Sequence, residues 1–205
     1  MIDVVVSKYK RNVDFVYKLP NVNKVIIYDK ENEENPYNIP VNKGNEASVY
    51  LKYIVDHYDT LSDFTFFIHD EEFAWHHSDS IITRYNEAVQ SNKLYYNINH
   101  FILGSIIDND RYQEILVWYN TYIEKYIPMK SLPNQNWTLG HKGCAQFLVH
   151  ESLIRMLPKE FYQDLYNWII TTNMTNDISG RFMEWTWHIF WDIFPNMPCH
   201  TMPEK

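Results

Sequence analysis

Apolar positions along this chain fall into two periods. Ile2 to Ser7 is a short β-branched run closed by polar residues, which predicts a buried strand, and Val25 to Tyr28 and Phe64 to Ile68 are a second and a third. A short helical pattern around Val13 to Leu19 separates the first two. An amphipathic helix from about Glu46 to Tyr58 separates the second and third, with Val49, Tyr50, Tyr53, Ile54 and Tyr58 at helical spacing. Further on, the pattern predicts helices over Ser80 to Ser91 and Arg111 to Tyr126, then an irregular Pro/Asn/Gly-rich stretch over Met129 to Gly143. A late strand follows at Cys144 to His150, with helices at 151–157, 159–172 and 180–193. Strand and helix alternating in this way imply βαβ units. The expected fold is therefore α/β, a mixed and mostly parallel sheet flanked by helices with a helical C-terminal third, in a single domain over 1–205.

Length and composition agree with one sizeable core. A 24.8 kDa chain buries roughly 70% of its unfolded surface, and 45% hydrophobic residues with 17% aromatics exclude a disordered chain. A formal charge of −8 argues against nucleic acid or an anionic membrane surface, which need clustered cations. Cys144 and Cys199 are too few for a disulfide framework and read as reduced thiols, and Asn136 and Asn173 head chance sequons. The first residues place their positive charges after the apolar stretch, the reverse of a signal peptide, and no run approaches a membrane span. The expected location is the cytoplasm.

Open α/β sheets bind ligands beyond the carboxyl ends of their strands. Ser7, Lys8 and Tyr9 follow the first strand, Asp29 and Lys30 the second, and His69, Asp70, Glu71 and Glu72 the third. Asp70 and Glu72, at i and i+2, point the same way if the chain stays extended, a pair suited to Mg²⁺ or Mn²⁺ with substrate phosphates, or else a solvated acidic turn. Downstream, Trp75-His76-His77-Ser78-Asp79 adds imidazoles and a carboxylate within reach of His69. They read as a metal-hydrolase cluster, or as a packed His beside Trp75 with Asp79 capping the next helix. Asn42-Lys43-Gly44-Asn45-Glu46-Ala47 opens the amphipathic helix, where Gly44 and the helix amides suit a phosphate or simply mark a turn. In the last helix Glu184, Trp187, His188 and Trp191 share a face. Glu184 there is either a carboxylate of raised pKa, as a general base requires, or the partner of Arg181. Trp118, Tyr119, Tyr122 and Tyr126 are core or a sugar-stacking surface.

Three longer segments carry a resemblance. IDVVVSKYKRNVDFVYKLP followed by VIIYDK, then NKGNEASVYLKYIVDHYDTLSDFTFFIH, and GCAQFLVHESLIRMLPKEFYQDLYNWI followed by Glu184-Trp185-Thr186-Trp187-His188-Ile189-Phe190, resemble uncharacterised glycosyltransferase-like α/β domains. More narrowly they are similar to the N-terminal, GT-A-fold domain of a chlorella-virus glycosyltransferase. The resemblance implies a GT-A-like transferase that moves a sugar from a UDP-sugar to a carbohydrate acceptor through Mn²⁺ or Mg²⁺, in viral glycan synthesis in host cytoplasm, with further domains conceivable beyond this one. It places Ser7, Lys8, Tyr9 and Asp29 at the uridine, Lys30 at the cofactor-binding edge, and Gly44 to Glu46 near the nucleotide. Asp70, Glu72 and Asp79 would face metal and diphosphate, Asp79 also serving the chemistry, with Glu184 as base. Lys8, Lys30 or Lys43 would add a second cation. No literal Asp-x-Asp is present, so Asp79 is an alternative to Asp70. Two other classes stand beside this one: a non-catalytic carbohydrate-binding or assembly module, and a hydrolase built on His69, His76, His77 and Asp79.

Overall fold

Strand β1 (Ile2–Lys8) has a parallel neighbour on each side, β2 (Lys24–Asp29) and β3 (Phe64–His69), with Val4 opposite both Val25 and Phe66. This is why its apolar run is unbroken: Val4, Val5 and Val6 are covered on both faces and fully buried. In a computed structural model, which describes residues 1–100, 102–103, 110–129 and 141–191, the main sheet also holds β4 (Tyr95–Asn97) and β7 (Phe147–His150) and has the order β2-β1-β3-β7-β4. β7 pairs antiparallel with both β3 and β4, so it alone runs against the rest. A second, two-stranded ribbon joins β5 (Ile102–Leu103) to β6 (His141–Lys142). The expected fold class holds: an α/β protein with a mixed, mostly codirectional sheet, helices on both faces and a helical C-terminal part.

Adjacent residues of β3 show how the faces are filled, because neighbours on a strand point to opposite sides. Phe67 meets Tyr50 and Tyr53 of helix α1 (Ala47–His57), at ring separations of 4.8 and 5.7 Å. Phe66 meets Tyr85 of α2 (Ile81–Gln90) at 5.1 Å, and the Tyr85 hydroxyl donates to the Pro20 carbonyl just beyond a 3₁₀ turn (Asp14–Lys18). On the α1 side, α5 (Lys159–Thr171) and α6 (Asn176–Glu184) pack against α1, and α3 (Tyr112–Tyr122) packs on α5. Short helices α4 (Glu151–Ile154) and α7 (Trp187–Trp191) close the core around Phe147, Trp187 and Trp191.

Several boundaries differ from the pattern. The helix expected over 180–193 begins at Asn176 and is interrupted at Trp185 and Thr186. The Thr186 hydroxyl bonds back to the Phe182 carbonyl at 2.9 Å, a local competitor of the helical ladder. α3 stops at Tyr122 rather than Tyr126 because the Ile123 and Glu124 amides converge on the single Tyr119 carbonyl. The late strand starts only at Phe147, and the helix expected over 151–157 is one turn, 151–154. The cap of α2 is Ser80, whose hydroxyl accepts from the Ile82 amide, and not Asp79. Most of the Met129 to Gly143 stretch, Asn136 and Cys199 lie outside the described residues. Among the described residues no helix is long and apolar enough to cross a membrane.

Candidate functional site

The chain leaves β1 toward β2 at one side and leaves β3 toward α2 and β4 at the other, so a crevice opens between the carboxyl ends of β1 and β3. There the Asp70 carboxylate accepts the Tyr9 backbone N–H at 2.6 Å and ties the two strand ends together. A polar cavity of about 430 Å³ lies at this point, within the usual range for small-molecule sites. Ser7 and Tyr9, two residues apart, face it from β1 and its exit; Lys30 borders it from the exit of β2, and His69, Asp70 and Glu71 from the exit of β3. Asn45 and Glu46, at the start of α1, form the facing wall.

Two cations enter the cavity. The Lys30 ammonium donates to the Asn45 carbonyl. Burial pulls its pKa down, and the neighbouring Glu46 and Asp70 charges oppose that. Arg11 pairs with Glu71 on the same wall. The Glu46 side chain makes no capping bond at the start of α1 and is left to the cavity. Burial, reinforced by the Glu184 charge, pushes its pKa up to about 7, against the pull of Lys30. Burial raises the Glu184 pKa too, while the Cys144 thiol and amide, which donate to its carboxylate, and the Arg181 charge oppose the rise. A buried carboxyl whose proton is held to near neutral pH, with a second carboxyl beside it, suits proton transfer.

Ser7, Tyr9, Lys30, Glu46 and Asp70, all expected from the sequence, meet in this one cavity. Others go elsewhere. Lys8 and Asp29 are register partners across β1 and β2, and their side chains form an ion pair at 2.5 Å, on the opposite side of the strand from Ser7. Gly44 does not line the cavity: it holds φ +64°, and a Cβ there would lie 2.1 Å from Cδ1 of Ile169, so its role is the close approach of α5. Lys43 donates to the Met174 carbonyl at 2.6 Å. Glu184 stands beside Glu46 without lining the cavity; Arg181 pairs with Asp177, at 3.3 Å, rather than with it.

The expected metal set does not assemble. β3 ends at His69, so Asp70 and Glu72 are not held in one extended strand: Glu72 Oε1 accepts from the Ser80 hydroxyl at 2.9 Å, and its carbonyl accepts the Ile81 amide, fastening the start of α2. Asp79 is exposed, its carboxylate accepting from Ser78. Among the described residues no three His, Cys, Asp or Glu side chains are grouped to hold a metal ion. Asp70 retains one carboxylate oxygen beyond its bond to Tyr9, which fits a hard cation only in the manner of Mg²⁺, shared with substrate phosphates.

The imidazoles are packed and neutral. His69 and His76 lie 5.0 Å apart and His76 and His77 5.3 Å, ring to ring. His76 Nδ1 is bonded to Asn99 Oδ1 and His77 Nδ1 to the Asp79 carbonyl. Burial and their mutual proximity press the pKa of His69 down to about 3 and of His76 to about 4. The Asp79 carboxylate is not among them.

The residues missed by sequence are Arg11 and Asn176. Asn176 arrives with α6, and its amide donates to the Asn42 carbonyl at 3.0 Å. On the same helix Gly180 lies close to Asn45: a Cβ there would come within 2.7 Å of the Asn45 side-chain amide nitrogen.

A comparison with family profiles matches residues 4–204 to DUF3431, whose description is "Protein of unknown function". No curated protein matches the chain.

Proposed function

The chain belongs to the DUF3431 family, and for it we propose transfer of a glycosyl group from a nucleoside diphosphate sugar, a UDP-sugar, to a carbohydrate hydroxyl. One observation carries the reading: the cavity at the β1/β3 crevice brings Lys30 and Arg11 together with Asp70 and with a carboxyl of raised pKa, Glu46, beside Glu184. Cations suit a diphosphate, and a half-ionised carboxyl suits a hydroxyl proton. The resemblance to glycosyltransferase-like domains supports the same reading, with which a viral glycan synthesis in host cytoplasm would agree.

In this mechanism the anomeric carbon–phosphate oxygen bond breaks with its electron pair leaving on the diphosphate, through an oxocarbenium-like state, by analogy with glycoside hydrolysis. Lys30 and Arg11 lie where they stabilise that leaving charge, and the Asn45 carbonyl holds Lys30 in place. A divalent ion, Mn²⁺ or Mg²⁺, would be held by Asp70 with the phosphates and would neutralise the same charge. The acceptor oxygen forms the new bond to the anomeric carbon, and its proton passes to the Glu46 carboxylate. Glu184, the base expected from sequence, assists Glu46: burial, reinforced by the Glu184 charge, keeps the Glu46 pKa near neutrality, where a base is most effective.

Release of UDP from UDP-glucose, UDP-galactose and UDP-rhamnose with Mn²⁺ present tests the reading. The expected result is UDP release from at least one donor, falling about 10²-fold or more in Glu46→Gln. Undiminished release in that variant, or none from any donor, would contradict it.

A further inference from the structure

The cavity at the β1/β3 crevice has two unlike walls. Along one, Arg11, Lys30, Asp70 and Glu71 bring charge from the strand exits. Along the other, three carboxamides come together: Asn42 and Asn45 ahead of α1, and Asn176 in the first turn of α6. The proposed reaction uses the charged wall for the diphosphate and Glu46 for the proton. It gives the amide side chains no task.

The amide wall is held in place by α6. Asn176 and Gly180 lie four residues apart on that helix and so share a face. The Asn176 amide donates to the Asn42 carbonyl at 3.0 Å, and the Asn45 side chain lies over Gly180, its nitrogen 2.7 Å and its Cγ 3.1 Å from where a Cβ would stand. Asn45 holds φ +52°, a left-handed conformation that asparagine tolerates, and it offers its carbonyl to Lys30 and its side chain to α6. Among the described residues the Asn42 and Asn45 side chains and Asn176 Oδ1 have no hydrogen-bond partner.

A carboxamide carries both donors and an acceptor and no charge. An ionised phosphate only accepts, whereas a hydroxyl both gives and accepts, so three amides opposite the cations fit a ring bearing several hydroxyls. Charge narrows the class further. The carboxyl next to the amides is Glu46, which follows Asn45 in the chain, with Glu184 beside it. Lys30 and Arg11 stand on the diphosphate side, and Arg11 is paired with Glu71. A carboxylate on the sugar would meet an acid here and no uncommitted cation, a repulsion that separates one ligand from its near twin.

We infer that the wall of Asn42, Asn45 and Asn176 receives the sugar of the donor, takes it as a neutral hexose, and rejects the uronic acid of the same ring. The inference rests on the transferase reading above, which places the diphosphate on the charged wall.

Calorimetric titration of the whole chain in Mn²⁺ tests it, with UDP, UDP-glucose and UDP-galactose and with the matched uronates UDP-glucuronate and UDP-galacturonate. At least one neutral donor binds about tenfold or more tighter than UDP and than its own uronate. Asn42→Ala and Asn176→Ala, checked for folding by thermal melts, each cut the advantage over UDP to about threefold or less. The comparison with the uronates needs no variant. UDP bound with no gain from a neutral hexose, a uronate bound as tightly as its hexose, or an advantage kept in both folded variants overturns the amide wall and leaves the transferase reading standing. Failure of UDP and every UDP-sugar to bind overturns the transferase reading. The wall then stands if free glucose or galactose, followed by saturation-transfer NMR, binds wild type and not Asn176→Ala, and falls otherwise.

Discussion

Asp70 and Tyr9 join the ends of β3 and β1 through one bond, the Tyr9 backbone N–H donating to Asp70 Oδ2 at 2.6 Å. The carboxylate therefore has two duties, holding the crevice in shape and presenting charge to it. Asp70→Asn retains an acceptor for the Tyr9 amide and removes the charge, so thermal unfolding is expected to stay within about 2 °C of wild type while Mn²⁺-dependent UDP binding falls at least about tenfold. Asp70→Ala loses both, with an added cost of about 1–3 kcal/mol in denaturant unfolding. Equal UDP affinity in Asp70→Asn and wild type would remove Asp70 from the site.

Glu46 and Glu184 set a pH dependence whose sign follows from burial. The Glu46 pKa is raised from 4.5 to about 7 in the folded chain, so the folded state holds a proton that the unfolded chain has released. Its contribution to stability is full below about pH 4.5 and is lost as pH rises through about 7. Glu46→Gln is expected to flatten the stability profile over that window and to be the more stable protein at pH 8, by chemical denaturation. Glu184→Gln removes the neighbouring charge and lowers the Glu46 pKa, so the acidic limb of the transfer rate moves to lower pH. A limb that stays in place in Glu184→Gln breaks the link between the two residues.

Glu72 belongs to the architecture. Its bond from the Ser80 hydroxyl and its carbonyl bond from Ile81 fasten the start of α2. Glu72→Ala is expected to cost about 1 kcal/mol of stability and to leave Mn²⁺-dependent UDP affinity within about threefold. A loss of metal dependence in this variant would restore it as a ligand.

Gly44 is a packing position. In Gly44→Ala the new methyl carbon lies 2.1 Å from Ile169 Cδ1 at a φ of +64°, so α5 must shift and the backbone is strained. A loss of about 1–3 kcal/mol is expected in urea unfolding, relieved in part by Ile169→Val. Unchanged stability would show that α5 yields freely.

How much of this was legible in the chain varies with the range of the forces involved. β1 and β3 were readable because a strand covered on both faces is apolar nearly throughout, and Val4 to Val6 and Phe66 to Ile68 are fully buried apolar runs. β4, with three residues, is too short to show a period, and the break at Trp185 and Thr186 lies inside an aromatic run that reads as continuous helix. Ser7, Tyr9, Lys30 and Asp70 were found because strand exits are where such sheets bind. Glu72 was misplaced by extending the strand past His69, where the chain turns. Arg11 and Asn176 carry no local signal, and the raised pKa of Glu46 arises from burial and from Glu184, which only the folded chain brings near.

On the proposed function, the cavity between the β1 and β3 exits holds a nucleoside diphosphate. Calorimetric titration of UDP into the whole chain, with and without Mn²⁺, in wild type and in Lys30→Met, tests it most directly. The expected result is binding that Mn²⁺ strengthens and that Lys30→Met weakens by about tenfold or more. UDP binding absent under both conditions, or indifferent to Lys30, would contradict it.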